Sequence, residues 1–120
     1  MPFIDLQTGL RMHYRDGGEG PPIVFVPGFA ATVDAFNYQM LDLTDRFRCV
    51  CIDQRGHGLS DKPVSAYTYE EFCDDLGALL AALDLRDVTL VGWSMGAGVA
   101  LKYVTEHDDD RRVSRLALVG

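Results

Sequence analysis

Apolar and polar positions change period several times along the chain, and each change predicts an element. Leu10, Met12 and Tyr14 alternate with Arg11, His13 and Arg15, a two-residue period that predicts a strand with one wet face. Thr8-Gly9 before it suits a hairpin turn from Phe3–Leu6, so the chain opens with an antiparallel ribbon. Gly17, Gly18, Gly20, Pro21 and Pro22 then break the pattern. Ile23-Val24-Phe25-Val26 follows as a short, continuously apolar run of the kind that forms a central parallel strand buried on both faces.

From there helical and strand patterns alternate. Helices are predicted at Val33–Thr44, Tyr69–Leu83 and Met95–Glu106, with strands at Cys49–Ile52, Val88–Val91 and Val113–Val119. Phe72, Leu76, Leu79, Leu80 and Leu83 fall at helical spacing and form one apolar stripe, while Glu70, Glu71 and Asp74 favour the positive amino end of that helix. Repeated strand-helix-strand units predict a doubly wound α/β architecture with a mostly parallel sheet, in a single domain spanning residues 1–120.

Composition narrows the function classes. With 48% hydrophobic and 24% charged residues, the chain has the make-up of one globular domain. A net charge of -7 and a pI near 4.7 oppose a phosphate backbone, so nucleic acid is excluded as a partner. The longest apolar stretch, around Gly77 to Leu83, is far shorter than the roughly 18 residues a membrane span needs, so no membrane association is expected. The amino terminus carries no basic stretch followed by an apolar core, and a cytoplasmic location is the expectation. Cys49, Cys51 and Cys73 lack the spacing of a zinc site or a redox motif and read as reduced, buried thiols. The charge run His107-Asp108-Asp109-Asp110-Arg111-Arg112 reads as a solvated loop, since consecutive carboxylates point in different directions and form no metal cage. No metal and no cofactor are expected.

Chemistry concentrates at Gly92-Trp93-Ser94-Met95-Gly96, which follows the strand Val88–Val91 and opens a helix, the context of a G-x-S-x-G nucleophile elbow. A sharp strand-to-helix turn needs neighbours without side chains, and it presents the serine hydroxyl at the positive end of the helix dipole. Ser94 is the candidate nucleophile. The backbone N–H of Met95, next in the chain, points where a tetrahedral oxyanion would form. Pro27-Gly28-Phe29 ends the central strand at the same sheet edge, which makes the N–H of Phe29 the second candidate donor. Two other readings remain. Ser94 is also a favoured helix cap. Gly92, Gly96 and Gly98 also satisfy a glycine pattern resembling a dinucleotide-binding turn, although such a turn belongs after the first strand of its domain.

Asp53-Gln54-Arg55-Gly56-His57-Gly58-Leu59-Ser60-Asp61, with the glycine turn at Gly28 and the elbow at Ser94, resembles the α/β-hydrolase superfamily over nearly the whole chain. Within it, Gly-Trp-Ser-Met-Gly looks most like the esterase, lactonase and cofactor-free haloperoxidase or perhydrolase branch. The resemblance implies hydrolysis of a small carboxylic ester through an acyl-serine intermediate. Pro27-Gly28 departs from the usual His-Gly of the family, which removes a side chain and leaves the donor. His57 corresponds to a position that is usually structural. Asp53 and Arg55, two residues apart at a strand end, are expected to pair with each other and fix the loop.

The resemblance also implies a triad acid and a histidine after strands later than Val113–Val119, so both are expected to lie beyond Gly120, together with the remaining strands and the cap. His107, at the far end of the helix that Ser94 starts, would stand roughly 15 to 20 Å away at about 1.5 Å per residue, and His13 lies in the early ribbon. On this reading the chain is the amino-terminal part of a hydrolase. The alternatives are a short form completed by a partner and a non-catalytic chain. The strand Arg115–Val119, core-like in composition but at an open edge, is expected to drive self-association.

Overall fold

The computed structural model describes residues 2–120. Six strands form one sheet in the order β1-β2-β4-β3-β5-β6. They are β1 (Phe3–Asp5), β2 (Arg11–Gly17), β3 (Pro22–Val26), β4 (Arg48–Ile52), β5 (Val88–Trp93) and β6 (Val113–Val119). β4, β3, β5 and β6 run parallel, while β2 is antiparallel to β4 and β1 is antiparallel to β2. The hairpin turns at Gly9, whose φ of +91° suits a residue without a side chain.

Alternation along the central strands splits the core into two layers. Val24, Val26, Val50 and Ile52 face a cluster with Phe72, Leu76, Leu79 and Leu80 of α2 (Tyr69–Ala82) and Val99 and Ala100 of α3 (Met95–Lys102). Ile23, Phe25, Cys49 and Cys51 face the opposite side, where Val33, Phe36 and Met40 cover them. The sheet is therefore covered on both faces at β3 and β4, as the continuous apolar runs require. All three cysteines are buried and free. No helix is long and apolar enough to cross a membrane among the described residues.

Four expectations need correction. The predicted helix Val33–Thr44 is two pieces, a 3-10 turn at Val33–Phe36 capped by the Thr32 side chain and then α1 (Asn37–Leu43). The predicted helix Met95–Glu106 ends as an α-helix at Lys102 and continues as a π-helical turn, Tyr103–His107. There the Thr105 hydroxyl donates to the carbonyls of Leu101 and Lys102, a side-chain bond that competes with the regular ladder. His13, assigned to a wet face, is buried and packs on Phe3 with ring centroids 5.0 Å apart. The charge run is only partly solvated. Asp108 accepts from the N–H groups of Arg112 and Val113, and the buried Arg112 guanidinium donates to Leu85 O and Asp84.

β6 closes one edge of the sheet with little over it. Leu118 and Val119 remain 48% and 45% exposed.

Candidate functional site

The order of connections places a switch at β3. The chain leaves β3 for its neighbour β4 on one side and later returns to β5 on the other. Ligands in open α/β sheets bind at such a point, outside the carboxyl ends of the strands. Pro27–Phe29, Asp53–Gly58 and Ser94 all emerge at these ends.

Ser94 sits between β5 and α3 with φ +57° and ψ −119°, a conformation that residues with a Cβ rarely adopt. Its N–H donates to Val119 O at 2.9 Å, and its carbonyl accepts from Ala97 N–H at 2.9 Å. Its side chain makes no cap hydrogen bond, so the helix-capping reading does not hold, and the residue is exposed. The flanking glycines have specific reasons. A Cβ on Gly92 would lie 2.4 Å from Gly96 O, and one on Gly96 would lie 2.1 Å from Val26 O. The turn is therefore pressed against both its own helix and β3. Gly98, third of the glycines that suggest a nucleotide site, instead has the ring of Tyr69 against it, at 3.2 Å from a Cβ.

Gly28 brings the β3 loop onto the serine, because a Cβ there would stand 3.0 Å from Ser94 Cβ. Ala31 N–H donates to Gly28 O at 3.1 Å and closes a turn in which Phe29 and Ala30 are central, with Ala30 at φ +63°. Among the described residues neither the Phe29 N–H nor the Met95 N–H donates to an acceptor. Met95 opens α3, where the first N–H groups of a helix have no internal partner. The Phe29 side chain is 77% exposed.

The loop after β4 is held by partners distant in sequence. Asp53 and Arg55 do not pair with each other as expected. The buried Asp53 carboxylate accepts from His13 Nδ1 at 2.8 Å, from Val33 N–H at 2.8 Å and from Leu59 N–H at 3.0 Å. Ser60 Oγ donates to Asp53 O and accepts from His13 N–H. Gly58, at φ +54°, lets the loop curl over this carboxylate, which a Cβ would meet at 2.2 Å. Arg55 instead forms a two-point contact with Asp75 of α2, Nε to Oδ2 at 2.7 Å and one terminal nitrogen to Oδ1 at 3.0 Å. The Asp75 hydrogen bond raises the Arg55 pKa. Both residues fix the loop, each through a partner that neighbouring positions do not reveal.

Beside the two free N–H groups lies an open hollow of about 510 Å³ walled by Phe29, His57, Tyr67, Phe72 and Met95. His57 Nδ1 lies 3.0 Å from Arg55 O, its ring meets Phe29 edge-on at 5.7 Å, and it is half-buried. His107 pairs with Glu70 at 2.9 Å at the far end of the π-helical turn. Burial pushes the Cys51 and Cys73 thiols up to about 12. Among the described residues no group of three or more His, Cys, Asp or Glu is placed to hold a metal ion. Sequence reasoning missed Tyr67, which walls the hollow from the stretch before α2, and Gln54, a buried amide that donates to Pro27 O at 3.0 Å. The available signal for Gln54 was its place inside the glycine-rich loop next to Asp53.

A family model described as alpha/beta hydrolase fold matches residues 21–120. A non-heme chloroperoxidase of Kitasatospora aureofaciens is 40% identical over 98% of this chain and 43% of its own length. Among solved structures, an esterase from Exiguobacterium antarcticum superposes with a TM-score of 0.91 at 38% identity, over 97% of this chain and 43% of that one. A bromoperoxidase from Bacillus anthracis gives 0.89 at 31% identity, over 98% and 44%. The chain thus spans less than half the length of these relatives.

Proposed function

The chain belongs to the α/β-hydrolase fold family, and from that premise we propose that it carries the nucleophile and oxyanion donors of a serine hydrolase acting on a small carboxylic ester. The observation that carries this reading is the backbone of Ser94, held at φ +57° between β5 and α3 with its hydroxyl uncommitted. Such strain persists where surrounding structure over-determines it, and it clusters at functional positions.

In this reading Ser94 Oγ attacks the ester carbonyl carbon while its proton passes to a histidine. The tetrahedral oxyanion accepts from the N–H groups of Phe29 and Met95. Collapse breaks the bond to the alcohol oxygen, which takes the proton from the histidine, and water then repeats the sequence on the acyl-serine. We place this histidine outside residues 1–120, as the resemblance implies; His13 is buried against Asp53 and His107 is paired with Glu70, whereas the bond from His57 Nδ1 to Arg55 O leaves its Nε2 free among the described residues. The aromatic hollow beside Met95 favours an apolar substituent on the substrate. Relatives described as an esterase and as haloperoxidases support a hydrolase of small molecules. Buried, free cysteines support a cytoplasmic setting.

The test is the intact mass of the protein, carrying the segment that supplies the histidine, before and after a fluorophosphonate, which labels activated serines. A single adduct that disappears in Ser94→Ala is expected, together with turnover of p-nitrophenyl acetate. An unlabelled protein, or an adduct that survives Ser94→Ala, would overturn the reading.

A further inference from the structure

The ester chemistry proposed above makes no direct use of Gln54, a polar side chain only 3% exposed one residue beyond Asp53. Its amide Nε2 donates to the carbonyl of Pro27 at 3.0 Å. That carbonyl belongs to the peptide leading into Gly28 and the turn that carries the Phe29 N–H. On another side it abuts α3, since a Cβ on Gly96 would lie 2.6 Å from Pro27 O. Pro27 has no N–H, so its carbonyl is the one backbone hydrogen-bonding group by which this residue can be held.

The turn itself needs holding. Ala30 at its centre has φ +63°, a conformation that a residue with a Cβ keeps only when its surroundings impose it. One end is tied where Gln54 grips Pro27 O. The other is tied where Val33 N–H donates to Asp53 Oδ1 at 2.8 Å. Adjacent residues of one loop thus grip the two ends of the turn that presents the donor.

We propose that Gln54 is a positioning residue for the Phe29 oxyanion donor, acting through the Pro27 carbonyl, an inference that rests on the acyl-serine reading. Without the amide, Pro27 O becomes a buried acceptor with one partner fewer. The Pro27–Gly28 peptide is then free to rotate, and through the Gly28 Cα it displaces the next peptide, Gly28–Phe29, whose N–H is the donor. A donor displaced in this way still permits substrate to bind but stabilises less of the negative charge that develops in the transition state.

Gln54→Leu removes the donor at similar volume, and Gln54→Met does so with a more adaptable side chain should the first variant fail to fold. Three quantities are compared at a temperature where each variant is fully folded: kcat and KM for p-nitrophenyl acetate, the rate of fluorophosphonate labelling at Ser94, and the Kd of an arylboronic acid that forms a tetrahedral adduct. The expected result is a fall in kcat and labelling rate of roughly 10- to 100-fold with KM little changed, since small misplacements of catalytic groups act on this scale. Boronate affinity should fall with kcat, which a loss of stability alone would not produce. A folded variant with wild-type kcat and boronate affinity would overturn the role of Gln54 while wild-type labelling keeps the acyl-serine reading. An unlabelled wild type would overturn both.

Discussion

Replacing Ser94 with glycine should make the protein more stable while abolishing its chemistry. At φ +57° and ψ −119° the Ser94 Cβ crowds its own backbone, and residues held in such regions cost about 1–3 kcal/mol. Glycine relieves that strain but adds freedom to the unfolded chain worth about 0.5–1 kcal/mol. No side-chain hydrogen bond is lost, because the Ser94 hydroxyl makes no cap bond, and the residue is exposed, so no buried contact offsets the gain. The net expectation is a stabilisation of about 1 kcal/mol for Ser94→Gly. Ser94→Ala retains the Cβ and should stay within about 0.5 kcal/mol of the parent. Urea midpoints of the three proteins, compared at a common slope, resolve that difference. A Ser94→Gly protein no more stable than Ser94→Ala would refute the claim that strain is stored at the nucleophile.

Other expectations test the loop, the core and the sheet edge. Arg55→Ala leaves Asp75, whose side chain is 2% exposed, with only the Thr8 hydroxyl as a side-chain partner among the described residues, and should destabilise by about 3–5 kcal/mol; Arg55→Met combined with Asp75→Leu should recover most of it. Unchanged melting of Arg55→Ala with lost turnover would contradict a loop-fixing role. With the Cys51 and Cys73 thiols pushed up to about 12, iodoacetamide at pH 8 should leave both unmodified in the native protein and alkylate them in urea, as read by mass; native alkylation at the rate of a free thiol would show that the burial is wrong. Residues 1–120 alone should self-associate through β6, whose Leu118 and Val119 are exposed, and Leu118→Lys should weaken the association. A concentration-independent monomer in sedimentation velocity excludes it.

Periodicity carried much of the fold because the local signals are strong here. Ile23–Val26 reads as a buried strand since both of its faces are covered, and β6 spans the predicted residues Val113–Val119. Glycine-bounded Ser94 was equally legible, since close packing against Val26 O and within α3 leaves no room for other residues at 96 and 92. What stayed hidden depends on partners far along the chain. His13 is 40 residues from the Asp53 that it meets, and Arg55 is 20 from Asp75, so pairing by proximity in sequence chose the wrong partners. Gln54 was passed over because a lone amide has no pattern, and only the structure puts Pro27 O in front of it. The break in helix type at Tyr103 accompanies the Thr105 hydroxyl bonds, which hydrophobic spacing does not register, and the break at Asn37 carries no side-chain cap to announce it.

The central place of β3 in the sheet also dictates the order in which the site can assemble. Ile23 pairs with Cys49 on one side but must wait for Thr89 on the other, and closing the longer loop carries the larger entropic penalty. Parallel pairings of this kind are slow to form. The turn bearing Phe29 can therefore meet the Gln54 loop while β5 is still unpaired, whereas the serine arrives only when β5 docks. Refolding should restore burial at β3 and β4 first and nucleophile reactivity last, so a time course of fluorophosphonate labelling would report when β5 and the histidine-bearing segment have both docked.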